Sequence, residues 1–168
     1  VEANELMDAL MRLPMACGAA LRTHDYCKNI ARRLAGQETC FIIGKGFAEP
    51  VATQGAVKML ELGYLHAEGC GAGALKPGFL ALIENGKTAA AHRARTGGDK
   101  MLNQAAGTPV IVILLDDQHS SAVRTAAESV KARGGDLIVI TDNIHLAQGL
   151  DADPVIIPNN GPLTALGA

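Results

Sequence analysis

The sequence predicts an α/β fold in which helices cover both faces of a parallel β-sheet, and three observations carry this expectation. The runs Thr39–Ile43, Val110–Leu115 and Leu137–Ile140 are continuously apolar rather than alternating, as strands buried on both faces are. Segments with a helical three- and four-residue period separate them. Hydrophobic residues make up 48% of the chain but aromatics only 3%, with no Trp, so Ala, Val, Ile and Leu must fill the core. At 168 residues the chain suits one domain, 1–168, which can bury about two-thirds of its unfolded surface without metal or disulfide.

In chain order, residues 1–36 read as N-terminal helices. Leu6, Leu10 and Leu13, then Ile30 and Leu34, recur at helical steps; Pro14 marks a break and Gly36 a stop. The strand Thr39–Ile43 runs into Gly44-Lys45-Gly46. A helix from Pro50 to Tyr64 follows, with Pro50 suited to its first turn. The stretch around Gly69, Gly71 and Gly73 reads as irregular, and Phe79–Ile83 is apolar. Residues 85–107 form a polar, partly basic excursion. Val110–Leu115 is the clearest strand, followed by a helix over Ser121–Arg133 that Gly134-Gly135 closes. Leu137–Ile140 is a third strand, Val155–Ile157 a candidate fourth, and a helical pattern starts near Gly161. The chain stops inside that pattern as a truncated helix, so one side of the sheet is expected to be incompletely covered, as in a fragment or with an element supplied by another chain. There is no internal repeat.

The net charge of −2 gives no reason to expect attraction to nucleic acid or membrane. No apolar stretch reaches the roughly 18 residues of a membrane span, and no signal peptide opens the chain. Cys17, Cys27, Cys40 and Cys70 lack CxxC spacing, and the five histidines lack a ligand pattern such as HExxH. The expectation is a reduced, cytoplasmic protein without a metal site or cofactor.

Open parallel sheets bind ligands beyond the carboxyl ends of their strands. The first such end is Gly44-Lys45-Gly46, where glycines admit a close ligand, the next helix offers free N–H groups, and Lys45 adds charge. The same residues also suit a plain turn that needs positive φ. The second end is Asp116-Asp117-Gln118-His119-Ser120-Ser121, where serines cap a helix and two carboxylates would repel a phosphate. On the helix after Pro50, Gln54, Lys58 and Glu61 share a narrow sector. Ala52, Ala56, Met59, Leu60 and Gly63 fall opposite. The spacing admits a solvated i,i+3 ion pair. It also admits a proton-moving Glu61 beside a charge-holding Lys58, placed near the ligand edge of the sheet.

From Gly44-Lys45-Gly46 through the run Gln54–Gly69 and then Ala72–Glu84, the sequence resembles the second sugar-isomerase (SIS) domain of the glutamine–fructose-6-phosphate aminotransferases, or glucosamine-6-phosphate synthases. That family reads G-R-G, then E-G-A-L-K-x-K-E-I-x-Y-x-H-x-E, then A-G-E-L-K-H-G-P-L-A-L-I-D. Lys131-Ala132-Arg133-Gly134-Gly135 also fits its R-A-R-G-G. The resemblance implies a three-layer αβα sandwich around a five-stranded parallel sheet, of flavodoxin/Rossmann-like build, and a homodimer or larger assembly. It implies a sugar-phosphate ligand, fructose 6-phosphate or glucosamine 6-phosphate, in amino-sugar biosynthesis. Glu61 then carries the proton between C1 and C2 with Lys58 beside it, and Gly44, Lys45, Gly46, Gln54 and Lys76 bind substrate.

The departures from that pattern matter as much. The ring-opening histidine of the family falls at Pro77, which exchanges no proton, and the acidic positions fall at Gln54 and Ala74. The glutaminase domain, the first isomerase domain and the lysine-bearing C-terminal tail have no counterpart in this sequence. The excursion over 85–107 is foreign to the family and carries Lys87, His92, Arg93, Arg95 and Lys100 against Asp99, which suits a solvated insertion or a docking element for an acidic partner. Two functional readings follow. One is a sugar-phosphate-binding domain active within a larger assembly. The other is a degenerate, non-catalytic domain kept as a structural or regulatory subunit.

Overall fold

The computed structural model describes residues 3–74, 79–83, 107–151 and 153–168. Lys76, Pro77 and the excursion expected over 85–107, all but Gly107, lie outside the described residues. Five parallel strands form one sheet: β1 (Thr39–Gly44), β2 (His66–Gly71), β3 (Pro109–Leu114), β4 (Asp136–Thr141) and β5 (Val155–Ile156). Their order is β2-β1-β3-β4-β5. The chain therefore winds one way from β1 to β2, then crosses to the other side of β1 to lay down β3. That reversal leaves a crevice between the carboxyl ends of β1 and β3.

The three strands expected from continuous apolar runs are present, with β3 buried at every position. β2 is the strand that the sequence reading treated as irregular. Its residues, His66-Ala67-Glu68-Gly69-Cys70-Gly71, include no β-branched side chain, and as an edge strand it buries only Ala67 and Cys70 fully. Tertiary pairing makes it a strand: Thr39 to Gly44 of β1 lies in register with His66 to Gly71.

Side chains alternate between two cores. Phe41, Ile43, Val110, Val112, Leu114 and Val139 face helix α5 (Ser120–Ala132), which contributes Val123, Ala126, Ala127 and Val130. Phe79, from the short helix α4 (Phe79–Leu82), meets Phe41 edge-on with ring centroids 5.5 Å apart. On the opposite face Cys40, Ile42, Ile111, Ile113 and Ile138 pack against Ala48, Ala52 and Ala56 of helix α3 (Ala48–Gly63), with Ile30 and Leu34 of helix α2 (His24–Leu34) at the margin. Helices on both faces of one parallel sheet make the three-layer arrangement.

Helix α1 (Ala3–Ala20) passes through Pro14 without a break. A proline costs one ladder bond and favours a kink. Here the helix is held along the C-terminal segment, with Ala9 fully buried and its carbonyl accepting from Asn160 Nδ2 at 3.0 Å. The turn to α2 comes later, at a 3-10 turn over Leu21–Thr23. The segment from Gly161 is likewise a 3-10 helix, Gly161–Gly167, rather than an α-helix. Tyr64 closes α3 in the left-handed region, with φ 51°.

Candidate functional site

A cavity of about 730 Å³ sits at the reversal of the sheet. Four separate loops build it: Gly46 and Phe47 after β1, Leu115 to His119 after β3, Asp142 after β4, and Asn159 to Ala165 after β5. The β1 loop turns tightly. A side chain at Gly44 would run into the Ala48 carbonyl, and a Cβ at Gly46, whose φ is 62°, would lie 2.5 Å from the His119 ring. Both positions demand glycine, so this loop is a turn with a steric purpose as well as a site element.

The floor of the crevice is acidic. The Asp116 backbone N–H donates to Asp142 Oδ1 at 2.8 Å, Asn159 Nδ2 donates to Asp142 Oδ2 at 2.6 Å, and Asn143 Nδ2 donates to Asp116 Oδ2 at 2.9 Å. Asp117 Oδ1 accepts the His119 N–H at 2.7 Å. The turn into α5 is thus made by Asp117, not by the serines expected to cap it; His119 is the N-cap residue and makes no side-chain cap bond, while Ser120 and Ser121 are already helical. Three carboxylates and two side-chain amides line the cavity, with no Lys or Arg among the described lining residues. Such a surface accepts hydrogen bonds from hydroxyl or ammonium groups and repels a phosphate.

Sequence reasoning singled out Asp116 and Asp117 but missed Asp142, Asn143 and Asn159. Those residues lie in loops without a recognisable motif. The one local signal was their position just past apolar strands.

The structure divides the other expected site residues between places. Lys45 turns away from the crevice to a separate cavity of about 230 Å³ on the α5 side. Lys58 and Glu61 do meet, with Nζ to Oε2 at 2.6 Å, but in the open: their side chains are 60% and 52% exposed. The expectation that they stand near the ligand edge of the sheet does not hold within one chain. Helix α3 starts at the carboxyl end of β1 and runs back to the start of β2, so its last turns lie at the amino ends of the strands. At about 1.5 Å per residue, the thirteen steps from Ala48 to Glu61 carry the carboxylate roughly 20 Å from the crevice end of the helix. Gln54 and Lys58 border a shallow, mainly apolar groove of about 300 Å³ between α3, the sheet and Ala168.

Leu60 also departs from the expected pattern. It is 45% exposed rather than facing the core, and Val57, Leu62 and Tyr64 at the same end of the helix are exposed as well.

Burial raises both core thiols, Cys40 to about 12 and Cys70 to about 11, so neither is a ready nucleophile. Among the described residues no group of three His, Cys, Asp or Glu side chains could hold a metal ion, and no helix is long and apolar enough to cross a membrane.

No protein-family model matches the chain. Among curated proteins it is 32% identical over 142 residues to the isomerizing glutamine–fructose-6-phosphate aminotransferase of Bradyrhizobium diazoefficiens, covering 84% of this chain and 20% of that protein. It is also 32% identical over 151 residues to the corresponding enzyme of Pyrococcus horikoshii, covering 90% of this chain and 22% of that one. The chain spans about a fifth of the length of these relatives. In fold it matches the C-terminal domain of glucosamine-fructose-6-phosphate aminotransferase from Francisella tularensis with a TM-score of 0.73, at 22% identity, over 94% of this chain and 39% of that one. Sequence and fold together place the chain among the sugar-isomerase domains of the glutamine–fructose-6-phosphate aminotransferase family.

Proposed function

We propose that this domain serves a sugar phosphate of the fructose 6-phosphate or glucosamine 6-phosphate class, with Glu61 and Lys58 acting where a second domain or a second copy covers α3. The observation that carries this reading is the Lys58–Glu61 pair itself, closed at 2.6 Å on an end of α3 where Val57, Leu60, Leu62 and the capping Tyr64 are also exposed. An ion pair in open water gains little from its partner. Covered by apolar surface, the same pair loses water, and a carboxylate held beside an ammonium can pass a proton between neighbouring sugar carbons while the ammonium offsets the developing charge. Gln54, one turn before Lys58, would then face the same ligand, while Gly44, Lys45 and Gly46, roughly 20 Å away at the other end of α3, would meet a ligand only at a site of their own.

A second reading is favoured by a different observation. The strand-end crevice presents three carboxylates and no described cation, and Pro77 stands where the family has its ring-opening histidine. In that reading the domain is a non-catalytic subunit of a larger assembly. Calorimetric titration with fructose 6-phosphate and glucosamine 6-phosphate separates the two. Saturable binding that falls at least tenfold in Glu61→Gln or Lys58→Ala is the expected result. No heat at millimolar ligand would leave the structural subunit.

A further inference from the structure

Lys45 stands apart from the other described lysines. Lys28 pairs with Asp25, Lys58 with Glu61, and Lys131 donates to the carbonyls of Gly149 and Leu150. Lys45 is half-buried and, among the described residues, has no hydrogen bond or ion pair. An ammonium taken partly out of water without a partner is costly unless something negative joins it.

Its surroundings say what could join it. The lysine lines the cavity of about 230 Å³ bounded by Ala72 and Gly73 after β2, Leu80 of α4, and Thr125 and Ser129 of α5. Thr125 Oγ1 and Ser129 Oγ now donate back to the carbonyls of Ser121 and Thr125, each at 2.9 Å. Such bonds within a helix are locally satisfied and weak, and a hydroxyl can turn from them toward a ligand oxygen. No carboxylate is among the described lining residues, in contrast to the crevice on the other side of the same loop, where Asp116, Asp117 and Asp142 gather.

We propose that this cavity is an anion subsite, in which the Lys45 ammonium and the hydroxyls of Ser129 and Thr125 bind the oxygens of a phosphate monoester. The choice of a phosphate monoester rests on the sugar-phosphate reading given above; the anion itself requires only Lys45 and its setting. The β1 loop then separates two chemistries. Lys45 holds the anion on the α5 side, while Gly46 and Phe47 face the acidic crevice, which phosphate avoids.

The test is a ¹H–¹⁵N NMR titration of the whole chain with inorganic phosphate, fructose 6-phosphate and unphosphorylated fructose, on the native protein and on Lys45→Met, Lys45→Arg and Ser129→Ala. Phosphate and fructose 6-phosphate are expected to move the Gly44, Ala72 and Ser129 amides saturably, and fructose to leave them still. Lys45→Met weakens both at least tenfold with the remaining spectrum unchanged, Ser129→Ala weakens them severalfold, and Lys45→Arg retains binding. Equal phosphate affinity in Lys45→Met and the native chain overturns the inference, as does a native chain whose amides do not respond to either anion. Saturable fructose 6-phosphate binding that ignores Lys45 overturns this subsite and leaves the sugar-phosphate reading standing. Lys45-dependent binding of inorganic phosphate, with fructose 6-phosphate no tighter, does the reverse.

Discussion

At the scale of single residues, position in the fold decides between a structural and a chemical role. Lys58 and Glu61 are more than half exposed, so their ion pair stabilises the chain little. Lys58→Ala or Glu61→Gln is therefore expected to change unfolding free energy by no more than about 0.5 kcal/mol in urea melts, which leaves any larger effect on ligand binding attributable to function. The thiols offer a second residue-scale prediction. Burial raises Cys40 to about 12 and Cys70 to about 11 from the ordinary value of 9.0. A thiol whose ionisation is harder in the folded than in the unfolded chain stabilises fully below pH 9. That contribution is lost as pH rises through 9 to about 12, because the unfolded chain releases its protons first. Stability should fall across that window, followed as the melting temperature from pH 8 to 11. At pH 8 iodoacetamide should modify exposed Cys27 well before Cys40 or Cys70.

At the scale of elements, loops far apart in sequence are tied by cations on α5. Arg124 donates through Nη1 to the Leu146 carbonyl and through Nη2 to the Gln148 carbonyl at 2.9 Å, and Lys131 holds Gly149 and Leu150. These bonds fix the 3-10 turn Ile144–Ala147, which follows Asp142 and Asn143 at the crevice. Replacing Arg124 by Met leaves two carbonyls without their charged donor, which should cost about 1–3 kcal/mol. Hydrogen exchange should quicken over residues 144–150 and remain unchanged in β1. The elements also show what a linear pattern hides. Apolar runs disclosed β1, β3 and β4, whereas β2 is recognisable only beside its neighbour, because an edge strand with glycines at Gly69 and Gly71 lacks both alternation and β-branched residues. The proline in α1 misled in the opposite direction, since tertiary contact at Ala9 and Asn160 offsets the missing bond.

At the scale of the whole molecule, two aliphatic cores separated by the sheet carry stability, while the outer surface of α1 carries little of it. Leu114, fully buried at the carboxyl end of β3, should cost about 2–5 kcal/mol when changed to Ala. Met11, 78% exposed, should cost less than about 0.5 kcal/mol, and chemical denaturation of the two variants checks the contrast. The sequence by itself determined the α/β class, the aliphatic core, the glycine turn after β1 and, through the run from Lys58 to Leu82, the family resemblance. Each of these is written in neighbouring residues, because side-chain periodicity and turn chemistry are local. Only the tertiary structure decided the strand order, and with it the crevice assembled from loops after β1, β3, β4 and β5, where Asp116 and Asp142 meet across 26 positions of chain. It alone also set Lys45 on one side of its loop and Gly46 on the other, and carried Glu61 to the far end of α3. The direction in which a helix returns along a sheet, and the strands it spans, depend on which distant surfaces bury one another, and no short stretch of sequence contains that information.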